Sequence, residues 1–238
     1  MQESFIRGVS LNNVDSTIYP FNIAAVRSIN EISFNQPVTI LVGENGSGKS
    51  TIIESIAVAA GFASEGGTKN SRFSTYDSTS NLHESINLIR GSRREHGGYF
   101  LRAESFYNVA SYMESPNPEG PLRYGGKSMH EQSHGESFLW LVNHQFKPNA
   151  LYILDEPEAA LSPHRQLSLL VAIHNLVNLG SQFIIATHSP ILLAYPNASL
   201  YELSHEGIAS IEYDEIEHVQ LTKDFLANPK QFLERLFK

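Results

Sequence analysis

The chain has 238 residues, of which 41% are hydrophobic and 18% are charged, a composition typical of globular rather than disordered proteins. It contains no cysteine, which excludes disulfides, thiolate metal sites and cysteine nucleophiles. The formal net charge of -8 disfavours duplex binding over the whole surface. No apolar stretch is long enough to span a membrane and the N-terminus lacks the pattern of a signal peptide. We therefore predict a cytoplasmic location and no membrane segment.

Three short apolar runs rich in β-branched residues predict strands that are buried on both faces. They cover residues 38–42, 151–154 and 183–187. Helical patterns occupy residues 51–60 and 167–179, and Gly180 is a natural cap for the second of them. Strands that alternate with helices indicate βαβ units and a parallel sheet.

The middle of the chain differs in composition from the rest. Residues 64–132 are rich in Gly, Ser, Asn and Arg, and one strand-like run at 98–104 interrupts them. We therefore predict a single domain over residues 1–238 with an inserted lobe of loops and short helices at about 64–145. At the C-terminus, the apolar spacing in residues 222–237 predicts one helix that docks on the core.

A complete phosphate-loop pattern, G-x-x-x-x-G-K-[ST], follows the first predicted strand and opens a helix. Its glycines let successive amides point at phosphate oxygens, and the helix adds its N-terminal dipole. The lysine supplies a positive charge to the phosphates, and the serine hydroxyl suits Mg²⁺. The predicted nucleotide-binding residues are Gly43, Glu44, Asn45, Gly46, Ser47, Gly48, Lys49, Ser50 and Thr51.

Polar residues end the other two predicted strands. Asp155 is placed to hold Mg²⁺ together with Ser50, and Glu156 is placed to accept a proton from water. The alternative is a solvated acidic turn. His188 ends the third strand, and ligands bind beyond the carboxyl ends of strands in open α/β sheets. We predict that it contacts the γ-phosphate, the alternative being a structural histidine.

Together these motifs resemble the ABC ATPase superfamily, and more narrowly the stand-alone ATPases related to RecF, SMC and OLD heads. The matching segments are 43–51, 151–163 and 182–190. The resemblance implies an α/β P-loop NTPase of ABC-ATPase type, in which helices flank a parallel-core sheet and a short lobe is inserted. It also implies an ATPase that uses ATP and Mg²⁺, forms an ATP-dependent homodimer and acts on an unidentified effector protein.

The resemblance assigns further residues. Ser133 and Gly135 match a signature motif that contacts the ATP of the opposite subunit, although a helix cap would explain the same turn. Glu104 stands where the family has a metal-contacting glutamine, which leaves its role open. Tyr19 and Phe21 are candidates for stacking on adenine, with buried packing as the alternative.

Three classes of function fit these patterns. The first is an ATP-driven dimer that serves DNA maintenance or defence, and the others are a transporter subunit and a small-molecule kinase. A basic stretch is a candidate contact for nucleic acid, and a solvated loop is the alternative. Its residues are Arg90, Arg93, Arg94 and Arg102.

Overall fold

A computed structural model of the chain describes residues 3–12, 17–69, 80–103 and 134–238. Its strands are β1 (Ile6–Leu11), β2 (Glu31–Ser33), β3 (Val38–Gly43), β4 (Ile86–Arg90), β5 (Gly98–Arg102), β6 (Leu151–Asp155), β7 (Gln182–Ala186), β8 (Ser199–Ser204) and β9 (Gly207–Ser210). Its α-helices are α1 (Ala24–Arg27), α2 (Lys49–Ala59), α3 (Leu82–Ser85), α4 (His134–Gln145), α5 (Pro163–Asn178), α6 (Pro190–Leu193), α7 (Glu217–Ala227) and α8 (Pro229–Leu236). Short 3₁₀ turns cover Pro157–Ala160 and Tyr213–Glu215.

The main sheet has six strands in the order β5-β6-β7-β3-β8-β9. Its first five strands run parallel, and β9 pairs antiparallel with β8 at one edge. The three strands predicted from apolar runs, β3, β6 and β7, are neighbours in the middle and are buried along their whole length. The prediction of an α/β fold with a parallel core is confirmed, and the carboxyl ends of these strands share one edge.

The main sheet separates two apolar cores because side chains alternate across a strand. Tyr152 and Leu154 of β6 face a core that also contains residues of α4 and α5. Leu151 and Ile153 face the opposite core, to which α1 and α2 contribute. The strand signal was strong in the sequence because both faces of β6 are covered.

A second sheet, which the sequence analysis did not identify, has the antiparallel order β2-β1-β4. The buried amide of Gln182 joins it to the main sheet. Its Oε1 accepts the backbone N–H groups of Phe5 and Ile6 at 2.9 and 3.0 Å, and its Nε2 donates to the Ile6 carbonyl at 2.7 Å. One side chain at the start of β7 therefore satisfies three backbone groups of the second sheet.

The segment interpreted as an inserted lobe contributes to both sheets. Within residues 64–145, β4 belongs to the antiparallel sheet and β5 forms the edge of the main sheet beside β6. These strands are therefore integral to the core rather than parts of an insertion. The rest of the lobe prediction falls largely at 70–79 and 104–133, outside the described residues.

The prediction of a single docked C-terminal helix is wrong. Proline lacks an N–H and seldom continues a helix, and here α7 ends at Ala227 and α8 begins at Pro229. The side chain of Asn228 caps the new helix by accepting the N–H of Gln231. Within α7 only Val219 is buried in the core, and Leu226 is 70% exposed. Phe237, which follows α8, is 81% exposed.

None of the helices among the described residues combines the length and the apolar character needed to cross a membrane.

Candidate functional site

The phosphate loop connects β3 to α2 and requires glycine at both ends. A Cβ on Gly43 would lie 2.2 Å from the carbonyl oxygen of Leu203, and its φ is 154°. Gly48 has a φ of 99° where it caps the N-terminus of α2. Side chains are strained in such conformations, so the loop depends on glycine to place its amides at the helix terminus. This is the geometry that binds anions in phosphate loops.

Lys49 lies inside this loop and is only 3% exposed. Its Nζ donates to the carbonyl oxygens of Gly43 and Glu44 at 2.9 and 3.0 Å. Burial lowers the pKa of Lys49, while the carboxylates of Glu156 and Asp155 act in the opposite direction. The hydroxyl of Ser47 is buried and makes no hydrogen bond among the described residues. A phosphate oxygen entering the loop would satisfy this hydroxyl.

Ser50 and Asp155 bring two hard oxygen ligands together below the loop. The hydroxyl of Ser50 donates to Oδ1 of Asp155 at 3.2 Å, and Asp155 is 3% exposed. The described residues contain no cluster of three or more His, Cys, Asp or Glu side chains suited to a metal. Mg²⁺ takes few protein ligands in phosphate sites and completes its shell with phosphate oxygens and water. Ser50 and Asp155 therefore fit the predicted Mg²⁺. Glu104, the third predicted metal ligand, lies outside the described residues.

Glu156 has a left-handed backbone directly after β6, with φ 48° and ψ 51°. For a residue with a side chain this conformation costs on the order of 1–3 kcal/mol, and such strain is concentrated at functional sites. The N–H of Glu156 is fixed by the carbonyl of Ala186 at 2.9 Å. The turn projects its carboxylate over the phosphate loop, where it lines one cleft with Lys49 and Ser50.

His188 meets Glu156 at the same edge of the sheet. Its Nε2 lies 3.5 Å from Oε1 of Glu156, and no described group forms a hydrogen bond with it. Burial lowers the pKa of His188, the positive charge of Lys49 lowers it further, and Glu156 acts in the opposite direction. Burial and Lys49 therefore favour the neutral form of the imidazole beside the loop.

Two residues that the sequence analysis did not select hold the His188 loop in place. Oε1 of Glu158 accepts the backbone N–H of His188 at 2.5 Å. Gln166 donates to the Leu161 carbonyl at 3.0 Å and accepts the hydroxyl of Ser189 at 2.5 Å. Burial raises the pKa of Glu158, although its hydrogen bonds oppose this. The acidic turn after Asp155 was visible in the sequence, but the partner of Glu158 is 30 residues away.

The two aromatic residues that are candidates for stacking on adenine lie in different surroundings. Tyr19 is 64% exposed and lines a cleft of about 260 Å³ with the phosphate loop. Phe21 is 4% exposed and belongs to the core next to α1 and α2. The position of Tyr19 suits stacking on a base, whereas Phe21 is a packing residue.

A second cleft, of about 730 Å³, opens above the loop on the side of α7. It is lined by Glu44, Asn45, Glu156, His188 and His218 among others. The ring of His218 stands 6.3 Å from the ring of His188 in an edge-on arrangement. His218 was not predicted as a site residue, because nothing in the local sequence pattern of α7 indicates that it faces the loop.

Arg102 and Glu54 are also near the loop. Arg102 was predicted only as a candidate contact for nucleic acid, and Glu54 was not predicted as a functional residue. Nη1 of Arg102 bonds Oε2 of Glu54 at 2.7 Å, and its Nε lies 3.3 Å from Oδ2 of Asp155. Arg102 ends β5 and is the register partner of Asp155 on β6. Glu54 lies one turn after Ser50 on α2, a spacing that places both on one face of the helix.

The basic stretch does not form a continuous free surface. Arg102 is paired internally, and Arg90 lies 3.4 Å from Glu95. Arg93 donates to Asn149 at 2.9 Å and covers the ring of Phe5. Arg94 is exposed. Three of the four arginines therefore have partners within the fold, which favours a structural role for the stretch.

Gly135 of the signature-like motif lies in the first turn of α4. Gly135 packs so closely that an added Cβ would lie 2.6 Å from Nη1 of Arg165 and 2.9 Å from the Ala160 carbonyl. The carboxylate of Glu136 accepts from Arg165 at 3.0 Å. Gly135 thus joins α4 to the turn that follows Glu156. Ser133 lies outside the described residues, so its predicted contact with ATP stays a prediction.

Two family models match parts of the chain. An AAA-domain family model matches residues 19–110, and a second AAA-domain model, of the class linked to AbiEii toxins and type IV toxin–antitoxin systems, matches residues 129–194. No curated protein matches the chain closely enough to count as a relative.

Solved structures with the same fold include SMC heads and transporter cassettes. The SMC head domain from Thermotoga maritima matches 89% of this chain and all of its own, with 18% identity and a TM-score of 0.50. The protein cbiO1 from Clostridium perfringens, part of the ABC transporter complex cbiONQ, matches 97% of this chain and all of its own, with 18% identity and a TM-score of 0.53. An ATP-binding cassette of an ABC transporter in its ADP conformation covers 88% of this chain and 90% of its own, with 18% identity and a TM-score of 0.52.

Proposed function

We propose that this chain, an ABC-type AAA ATPase by its fold and its two domain matches, binds MgATP at the phosphate loop and hydrolyses it to ADP and phosphate. The observation that carries the proposal is the position of Glu156. It shares one cleft with Lys49 and Ser50 and another with His188, and its strained backbone holds it there. A carboxylate beside the γ-phosphate position is suited to act on an attacking water.

Each residue has a separate part in the reaction. The amides of the loop and Lys49 hold the β- and γ-phosphates. Ser50 and Asp155 would hold Mg²⁺, which would supply positive charge to the phosphate oxygens. Glu156 accepts a proton from the water whose oxygen attacks the γ-phosphorus. The bond from the γ-phosphorus to the bridging oxygen breaks, and that oxygen leaves with ADP. Neutral His188 stabilises the charge that shifts among the γ-oxygens.

We further propose that two copies of the chain close around two ATP molecules and that the cycle drives an effector protein. The cleft of about 730 Å³ that Glu156 and His188 line leaves room for a residue of a second copy beside the phosphate loop. The resemblance implies that Ser133 of a second copy covers the other side. Binding energy at the γ-phosphate would then be converted into a change of subunit arrangement.

The Glu156→Gln variant tests the hydrolytic function. The amide keeps the shape of the side chain but cannot accept the proton, so ATP binding should persist while phosphate release falls on the order of 10²-fold or more. Calorimetry with MgATP and a phosphate-release assay measure the two properties, and Glu206→Gln at an exposed site is the control. A wild-type rate in the Glu156 variant would remove Glu156 as the base. A phosphorylated metabolite in place of free phosphate would indicate a kinase.

A further inference from the structure

A series of contacts among four buried or half-buried side chains lies behind the phosphate loop. Ser50 donates to Oδ1 of Asp155 at 3.2 Å, and Nε of Arg102 lies 3.3 Å from Oδ2 of the same carboxylate. Nη1 of Arg102 then bonds Oε2 of Glu54 at 2.7 Å. The series of contacts begins and ends on α2, because Ser50 and Glu54 lie one helical turn apart.

The two contacts of Arg102 differ in strength. The bond to Glu54 has the short length of a charge-assisted hydrogen bond, whereas Nε faces Asp155 at a longer distance and makes no hydrogen bond among the described residues. Glu54 is 9% exposed and Asp155 is 3% exposed, so water screens neither carboxylate well. The guanidinium is therefore bound more firmly to Glu54 than to Asp155.

This difference matters for a cation at Asp155. A guanidinium turned fully onto Asp155 would form a two-bond pair with it and would compete with Mg²⁺ for the same carboxylate. We propose that Glu54 is a positioning residue of the Mg²⁺ site: it binds Arg102 and so keeps the carboxylate of Asp155 available to the metal. The proposal rests on the proposed MgATP binding and assigns to α2 a second function, beyond carrying Lys49 and Ser50.

The test compares the affinity for a non-hydrolysable ATP analogue, AMPPNP, in Mg²⁺ and in EDTA, measured by calorimetry. In Glu54→Gln the unpaired guanidinium turns to Asp155, so the gain in affinity that Mg²⁺ provides should fall on the order of tenfold, while the affinity in EDTA stays the same. Adding Arg102→Gln to this variant removes the competitor and should restore the gain. The Arg102→Gln variant alone should keep the gain in AMPPNP affinity that Mg²⁺ provides.

A matched control comes from another buried acid. Glu95→Gln removes a carboxylate that pairs with Arg90 and Lys69 away from the loop, and it should leave the gain from Mg²⁺ unchanged. Thermal unfolding of every variant reports whether it folds, and AMPPNP binding in EDTA reports whether the loop is intact.

The outcomes separate the proposal from the function on which it rests. A wild-type protein that binds AMPPNP in neither medium would refute the nucleotide site itself. If Mg²⁺ increases the AMPPNP affinity of Glu54→Gln as much as that of the wild type, the proposed role of Glu54 is overturned. An equal loss in Glu54→Gln and in the double variant would also overturn it, because Arg102 would then not be the competitor.

Discussion

Nε2 of His188 lies 3.5 Å from Oε1 of Glu156, although the two residues follow different strands of the main sheet. The parallel pairing of β6 with β7 brings them together, since Asp155 is the register partner of Ala186. The pair places a carboxylate and an imidazole together at the carboxyl ends of β6 and β7. Its two members should therefore affect the chemical step more than nucleotide affinity.

His188→Ala should slow phosphate release on the order of 10²-fold and should weaken ATP binding much less. A single contact to the γ-phosphate contributes most where charge is redistributed in the transition state. Calorimetry with ADP and ATP separates this role from a role in folding, because ADP lacks the γ-phosphate. His174→Ala, near the opposite end of the sheet beside Pro37, should keep full activity. Equal losses of ADP and ATP affinity in His188→Ala would contradict a γ-phosphate contact.

Glu158→Gln should change how stability depends on pH. Burial raises the pKa of Glu158 above its ordinary value of 4.5, so the folded protein holds this proton more tightly than the unfolded chain. The resulting stabilisation is fully present below the ordinary value and is lost as the pH rises through the raised one. Glutamine does not ionise and still offers an oxygen to the N–H of His188.

The melting temperature of Glu158→Gln relative to wild type should therefore increase as the pH rises from the ordinary pKa of 4.5 through the raised pKa of Glu158. Thermal unfolding at several pH values measures this difference. The exposed control Glu206→Gln should show no such trend. If the difference in melting temperature between Glu158→Gln and wild type does not change with pH, Glu158 does not retain its proton in the folded state.

Gln182→Leu should destabilise the fold without removing the nucleotide site. Leucine is similar in size, but it leaves the N–H groups of Phe5 and Ile6 and the Ile6 carbonyl without their partner. Each unsatisfied buried group costs about 1–3 kcal/mol, so the free energy of unfolding should fall by roughly 3 kcal/mol or more. Denaturant unfolding measures the loss, and the exposed control Gln220→Leu should change it by no more than about 0.5 kcal/mol. A loss below about 1 kcal/mol would show that the second sheet does not depend on this amide.

The sequence predicted the parts of the fold whose signals are local. β3, β6 and β7 are covered on both faces, so each appears as an uninterrupted apolar run. β1 gave no such signal, because it mixes buried and exposed residues and contains Gly8, where a Cβ would lie 2.6 Å from the Ile32 carbonyl. The second sheet thus depends on contacts that only the folded chain provides.

The same distinction applies to the site. The loop, Asp155 and Glu156 belong to short patterns in which each residue has a recognisable chemical role. The contact between Arg102 and Glu54 joins residues 48 positions apart, and nothing in the spacing of either residue indicates it. The break before Pro229 could have been predicted from proline chemistry alone, since a proline seldom continues a helix.

The proposed dimer leads to a complementation experiment with two inactive variants. If each ATP site takes Lys49 and Glu156 from one copy and Ser133 from the other, Lys49→Ala and Ser133→Arg should each be inactive alone. Lys49→Ala removes the buried charge that binds the phosphates. Ser133→Arg blocks the contact that a copy makes with the ATP of its partner.

Mixing the two proteins should restore activity if the sites are shared. A heterodimer has one site with both defects and one site with neither, and random pairing makes half of the dimers heterodimers. Roughly a quarter of wild-type phosphate release should therefore return if the dimer is isologous and its sites act independently. Cooperative sites would lower the figure, so the decisive result is a clear recovery rather than its size. Native mass spectrometry of the mixture establishes that heterodimers form. Their presence without any recovery would mean that Ser133 acts within its own subunit or only caps α4, and the shared-site mechanism would then fail.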